Sequence, residues 1–272
     1  MKAQDARVLL TGATGGIGKA TARALLAAGA SVMLVGRSTQ ALENFHRELT
    51  GEGISPSRLK WVPADLTRQE DITRLASESA RLGCNVVIHN AGLPSFGPLA
   101  EHSPDEMAAV LQTNLLAPML LTQALLPHLQ TLPAARILFV GSALGSIGLP
   151  GYSVYSASKF GVHGFAQALR RELSGSSVKV QYIGPRSTDT GFNSAAVQAY
   201  NRATGTAQDS PEVVAGAIVQ MLEDEAVERV LGFPEKLAAR LNGLAPEWLD
   251  GSFRRHRQSL QNYAATTRVA PT

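Results

Sequence analysis

Tyr155, Ser156, Ala157, Ser158 and Lys159 form a short stretch in which a phenol and an ammonium stand four positions apart. On a helix that spacing places both on one face. A phenol keeps its proton until pH ~10, too tightly for efficient acid/base work near neutrality. A cation held beside it favours the phenolate and lowers that value. A tyrosine tuned this way gives a proton to a carbonyl oxygen or takes one from an alcohol. Ser142 closes the apolar run Ile137, Leu138, Phe139, Val140, which reads as a buried strand. A hydroxyl at the end of that strand, beside a helix carrying Tyr155 and Lys159, can stabilise oxygen charge as a carbonyl is reduced. The competing reading is a surface tyrosine and lysine at ordinary helical spacing, so the surrounding elements must decide.

Those elements alternate. Strand-like apolar runs at 8–10, 31–35, 59–62, 86–88, 137–140 and 178–183 are separated by helical patterns at 19–28, 40–49, 69–82 and 155–173. A further long helix starts after residue 102, where Ser103 caps, Pro104 fits the first position and Glu106 completes a capping box. Strand after helix after strand predicts an α/β fold with a doubly wound parallel sheet and helices on both faces. Ligands in such folds bind at the carboxyl ends of the strands, near the point where strand order reverses.

The chain has 272 residues, 44% hydrophobic and 17% charged, with a formal net charge of +3. These values fit one large globular domain that buries its own core. The charge is mild, and no dense basic run with interleaved aromatics points to nucleic acid. Cys84 is the single cysteine, which excludes an internal disulfide and disfavours a cysteine-based metal site. The N-terminus lacks a signal-peptide layout, and a cytoplasmic location is expected. The apolar region at 115–126 is interrupted by Pro118, Thr122 and Gln123 and reads as too short and too broken to span a bilayer.

The first strand runs into Thr11, Gly12, Ala13, Thr14, Gly15, Gly16, Ile17 and Gly18, and a helix follows. Glycines there permit a tight turn and let backbone approach a pyrophosphate at a helix N-terminus. The spacing fits two patterns, one through Gly12, Gly16 and Gly18, the other through Gly12, Gly15 and Gly18. At the end of the second strand an NAD site places a carboxylate on the ribose hydroxyls. The chain instead reads Val35, Gly36, Arg37, Ser38. A guanidinium pairs with a 2′-phosphate, so NADP is expected over NAD. The alternative for Arg37 is a solvated residue at a strand end.

With these features in order, the chain resembles the classical short-chain dehydrogenases/reductases over residues 7–231. The resemblance rests on the glycine turn, Asp65 and Leu66 after the third strand, and Asn90, Ala91 and Gly92 after the fourth. It is completed by Asn114, Ser142, Tyr155 and Lys159. It implies a Rossmann fold, a nicotinamide cofactor and hydride transfer between that cofactor and a carbonyl or alcohol. By the same resemblance Asp65 bonds the adenine amino group with Leu66 behind the ring, and Asn90, Ala91 and Gly92 line the adenosine ribose. Tyr155 becomes the acid/base and Ser142 the holder of the substrate oxygen. Lys159 binds the nicotinamide ribose, Asn114 places a water that links Lys159 to solvent, and Thr190 meets the carboxamide. Without the family, Asp65 reads as a turn or cap residue and Asn114 as a kink near Pro118. His89 stands where asparagine is usual and is expected to bond structurally. Arg186 follows Pro185 where the family carries glycine; it reads as a surface residue, with a substrate-side charge as the alternative.

The stretch 192–210 reads as a lid, and Phe96, Leu144, Leu149, Tyr152 and Phe192 as candidates for an apolar substrate pocket. Residues 1–232 are expected to form the cofactor-binding and catalytic domain, and 233–272 a helical extension. In the extension Leu237, Leu241, Leu244 and Trp248 recur at helical spacing, broken by Gly243 and Pro246, before Arg254, Arg255, His256 and Arg257. Packing on the domain or a partner is expected there. The alternative is an amphipathic basic element lying on an anionic membrane. The overall expectation is an NADP-dependent carbonyl reductase or alcohol dehydrogenase acting on a small, apolar molecule, as a homodimer or homotetramer. A catalytically silent nucleotide sensor and a sugar-nucleotide epimerase or dehydratase are the competing classes.

Overall fold

The computed structural model describes residues 1–269, apart from the side chains of Pro234 and of residues 266–269. Seven strands form one sheet: β1 (Arg7–Thr11), β2 (Ser31–Gly36), β3 (Leu59–Pro63), β4 (Val86–His89), β5 (Ala135–Val140), β6 (Val178–Gly184) and β7 (Glu228–Val230). Their order is β3-β2-β1-β4-β5-β6-β7, and every neighbouring pair is parallel. The strand order reverses between β1 and β4, which opens the crevice where such sheets bind ligands. Six strands match the sequence expectation. β7 was not anticipated, since three residues with one strong hydrophobe carry almost no alternation.

Alternation along the strands assigns the two faces. Val8 and Leu10 of β1 join Val32, Leu34 and Ile88 on one side, packed by α1 (Gly16–Ala27), α2 (Thr39–Gly51) and α8 (Pro211–Asp224). Leu9, Met33, Val87 and Phe139 point to the other side. There they meet α3 (Gln69–Arg81), α5 (Ala117–Gln130) and α6 (Ser153–Glu172). A strand buried on both faces is largely apolar, as β5 is: all six positions are buried, and its single charged residue, Arg136, pairs with Glu225.

The long helix begins as expected: Ser103 caps α4 (Pro104–Leu111) and Glu106 closes the capping box. It passes through a π segment, Gln112–Leu116, before α5. The 27 residues Pro104–Gln130 are long and apolar enough to cross a membrane. Interruption by polar residues is therefore not what argues against a span, as the sequence reading had it. What does is burial: Leu121, Leu125 and Leu129 lie fully inside the domain core.

Two further features concern the C-terminal half. The lid stretch is not an irregular loop, because it holds α7 (Ala195–Thr204), capped by Ser194 and ended by Gly205 in the left-handed region. The extension forms α9 (Phe233–Leu244), 3-10 turns over Pro246–Phe253, and α10 (Arg254–Val269). It folds back over α7, where the Tyr200 ring meets His256 at 5.6 Å.

Candidate active site

At the switch point, Thr11 and Asn90 build the turn from beneath. The Thr11 hydroxyl accepts from the Asn90 and Ala91 amides at 2.9 and 3.1 Å. The Asn90 side-chain amide donates to the Thr11 and Gly12 carbonyls at 3.0 and 3.1 Å. Backbone and backbone meet so closely here that side chains do not fit. A Cβ on Gly12, at φ +63°, would lie 2.8 Å from the Ala91 Cα. One on Gly18 would lie 2.1 Å from the Gly12 carbonyl oxygen, and one on Gly16 2.3 Å from the Thr190 methyl. Gly15 has only ordinary contact, 3.4 Å to the Gly12 oxygen. The geometry therefore resolves the ambiguous spacing in favour of Gly12, Gly16 and Gly18. Gly15 is the N-cap of α1 and supplies no side-chain acceptor. The first amides of α1 thus face the cavity, with Thr14 and Ile17 on its rim.

Beside this cradle, Arg37 is exposed at the end of β2 and makes no hydrogen bond or ion pair among the described residues, while Ser38 caps α2. Asp65 receives the Thr67 amide and hydroxyl at 3.0 and 2.7 Å. Those bonds, with Arg37 nearby, hold its carboxyl below the usual range. Leu66, Ala91 and Gly92 complete this wall.

Farther along, β5 delivers Ser142 in extended conformation, φ −164°. The Tyr182 hydroxyl donates to the Ser142 carbonyl at 3.0 Å and accepts its amide at 3.3 Å. Tyr182 had no place in the sequence expectation. Its signal was indirect: Gly141 and Gly145 are glycines because a Cβ on either would strike the Tyr182 oxygen, at 2.2 and 2.5 Å. The ring is stacked at 4.2 Å on His163, whose Nε2 meets Glu228 at 3.1 Å. Ser142 thus stands on a buried aromatic post anchored to β7.

Tyr155 and Lys159 come from α6, on the face predicted by their spacing. Ser142 beside the Tyr155 phenol favours its ionised form, but burial outweighs that influence and pushes the phenol up to about 12. Burial also lowers Lys159 to about 8. The expectation that Lys159 makes Tyr155 acidic is corrected for the protein alone. The ammonium donates to the Val140 carbonyl at 3.1 Å and sits 5.7 Å from the centre of the Tyr155 ring. Two buried groups here each resist ionisation, and desolvation dominates both.

Asn114 lies in the π segment, where an extra residue turns a side chain toward a functional site. Its Oδ1 accepts the Leu93 amide at 2.7 Å, and its Nδ2 donates to the Leu93 carbonyl at 3.0 Å and the Ser158 hydroxyl at 3.1 Å. The side chain therefore clamps the irregular segment following β4 onto α6, a bonding pattern that sequence could not give. A Cβ on Gly92 would fall 3.3 Å from Asn114 Oδ1 and 3.8 Å from Lys159 Nζ, so all three converge.

His89 is stacked on Phe139 and bonded to Thr122 at 2.9 Å, and burial lowers it to about 3, which fits its expected structural part. Arg186 is not a surface residue. It pairs with Asp209 at 2.6 Å and Glu235 at 3.8 Å, tying the loop after β6 to α9. Thr190 packs on Gly16, and its hydroxyl accepts from the Phe192 amide at 3.3 Å.

One cavity of roughly 700 Å³ joins the glycine turn, Arg37 and Asp65 to Ser142, Tyr155 and Lys159, and all five pocket candidates line it. Its far end is aromatic: Phe96 meets Tyr152 and Tyr200 at 5.0 Å each and Tyr263 at 5.4 Å. Leu249, Phe253 and His256 close it from the extension, which sequence reading had not placed in the site.

The profile described as short chain dehydrogenase matches residues 6–201, most of the chain. The chain belongs to the short-chain dehydrogenase/reductase family. It is 35% identical to dehydrogenase/reductase SDR family member 7B of Bos taurus over 257 residues, covering 89% of this chain and 78% of that one. Among solved structures, a short-chain dehydrogenase from Burkholderia cenocepacia in complex with NADP is 25% identical. It matches with TM-score 0.79 over 93% of this chain and 99% of that one. The closed form of a serine dehydrogenase complexed with NADP+ is 26% identical, with TM-score 0.73 over 82% and 93%.

Proposed function

We propose that this short-chain dehydrogenase/reductase is NADP-dependent and moves a hydride between nicotinamide and an apolar carbonyl compound or secondary alcohol. One observation carries the reading: the Tyr155 phenol, with Ser142 beside it, faces a cavity continuous with a backbone cradle for a pyrophosphate. The residues fit a dinucleotide. Gly12, Gly16 and Gly18 keep side chains out of the cradle, the α1 amides favour an anion, and the unpaired Arg37 suits a 2′-phosphate. Asp65, Leu66, Asn90, Ala91 and Gly92 would hold the adenosine half, and Lys159 and Thr190 the nicotinamide half. The bound nicotinamide supplies the hydride.

The chain's own residues then manage the oxygen. Ser142 holds it by hydrogen bond, and Tyr155, protonated at neutral pH, donates its proton as negative charge develops. Lys159, charged below about pH 8, stabilises the phenolate left behind. Asn114, bonded to Leu93 and Ser158, holds the segment after β4 against the turn of α6 that carries Lys159. The aromatic end of the cavity takes the body of the substrate, and assembly through the long helices as a homodimer or homotetramer belongs to the same reading.

Following NADPH oxidation over a panel of apolar ketones and aldehydes tests it. Tyr155→Phe is expected to lower kcat about 10²–10⁴-fold without changing NADPH affinity. Arg37→Ala is expected to weaken NADPH about tenfold and leave NADH unchanged. NADPH binding without turnover of any carbonyl would favour a sensor. Equal affinity of the intact protein for the two cofactors would remove the NADP assignment.

A further inference from the structure

Along α9 the side chains turned inward are small or polar. Ala238 lines the cavity, Glu235 reaches Arg186, and Asn242 donates to the Ser146 carbonyl at 3.0 Å. The solvent side carries the large apolar residues instead. Phe233, Leu237, Leu241, Leu244 and Trp248 are 82, 52, 37, 84 and 77% exposed. Their spacing of four, four, three and four draws one stripe along the helix and the turn after it. Single exposed hydrophobes are ordinary; a contiguous stripe marks a surface that something covers. Exposed cations flank it along the chain, Lys236 and Arg240 on the helix and Arg254, Arg255 and Arg257 at the start of α10, outnumbering the exposed carboxylates Glu247 and Asp250.

We infer that this face docks on the surface of an anionic lipid bilayer. The stripe enters the boundary between headgroups and acyl chains, Trp248 sits at its end, and Lys236 and Arg240 extend to the lipid phosphates. Charge selects the occupant. The patch holds more cations than carboxylates, so a second copy packed on it by a two-fold axis would bring two surfaces of like net charge together. Anionic headgroups neutralise them, each cation near the surface strengthening binding about fivefold. The position also has a consequence for the proposed reaction. The segment that bears the stripe turns Ala238, Leu249 and Phe253 into the apolar end of the cavity, so the substrate end lies just behind the docking face. Resting on the reductase reading, the substrate class becomes a lipophilic carbonyl or alcohol taken from the bilayer; docking itself does not depend on that reading.

Co-sedimentation of the full chain with mixed phosphatidylcholine–phosphatidylglycerol vesicles, against pure phosphatidylcholine vesicles, tests the inference. Binding is expected to the mixed vesicles and to fall with salt. In a Trp61→Phe background, which leaves Trp248 as the only tryptophan, emission is expected to shift to the blue on binding. Leu244→Ser and Trp248→Ser are each expected to weaken partitioning about tenfold, with turnover of a water-soluble carbonyl unchanged. Lys236→Gln with Arg240→Gln is expected to remove most of the preference for anionic vesicles. No binding at low salt, or binding indifferent to these variants, overturns the inference. So does an oligomer that Leu244→Ser or Trp248→Ser dissociates, since a second copy then covers the stripe. Vesicle binding in a protein that reduces no carbonyl would leave the docking face standing and remove the reductase reading alone.

Discussion

Lys159 is buried as an ammonium at neutral pH, and the cost of that burial can be measured. Its folded value of about 8 lies below the ordinary 10.5. Between those two values the unfolded chain keeps a proton that the folded chain has lost, so stability rises with pH through that window. Below about pH 8 both forms are charged and the folded state carries the full penalty, up to about 3 kcal/mol. Lys159→Met should therefore be more stable than the wild type at pH 7 without cofactor, and the gap should narrow by pH 10. Urea denaturation of both proteins at the two pH values reads it, since burial keeps the folded Tyr155 protonated at both. A gap that stays flat would mean the ammonium is solvated. The same desolvation explains what the sequence could and could not say about this pair. Spacing placed Tyr155 and Lys159 on one face of α6, because helical geometry is local. It could not say that both would be drawn out of bulk water beside the loop after β5, where burial outweighs any charge that one lends the other.

Elements were legible where their pattern was self-contained. The capping box at Ser103 and the six apolar strands follow from local chemistry, and the structure keeps them. The π segment at Gln112–Leu116 and the short β7 were not legible, since each owes its form to packing: Asn114 to Leu93 and Ser158, β7 to β6. In α9 the leucine spacing announced a helix but misled about its orientation, because the protein receives the small side of that helix and leaves the large side in solvent. The glycine turn is a case where close approach decides between equal sequence patterns. Gly15, at φ −77°, has room for a methyl group, whereas Gly18 does not. Gly15→Ala is expected to change folding stability by less than about 0.5 kcal/mol. Gly18→Ala has to push α1 off the Gly12 carbonyl and is expected to cost about 3 kcal/mol. Denaturation midpoints of the cofactor-free variants distinguish the two, and equal losses would mean that the turn is held by all its glycines alike.

At the scale of the whole molecule, the cavity is assembled from two halves of the chain with different physics. The cradle, Arg37, Asp65 and the segment from Asn90 to Gly92 belong to the first strands and turns, fixed by the sheet register and by backbone contacts too close for side chains. The substrate end is closed by α7 and the extension, held to the domain by aromatic edges, the Arg186–Glu235 pair, the Asn242–Ser146 bond and a few aliphatic contacts rather than by strands. Loss of that docking should open one end and spare the other. Leu260 of α10 packs on Gly151, where an added Cβ would lie 3.1 Å from its side chain. Leu260→Asp would place a carboxylate in this contact and favour release of α10 by about 1–3 kcal/mol. The expected result is a raised KM for an apolar ketone with NADPH affinity unchanged, read by steady-state kinetics beside fluorescence titration of the cofactor. If both constants worsen together, the halves fold as one unit and the extension supports the cradle as well. If neither moves, α10 does not close the substrate end in solution, and the aromatic chamber is open to water.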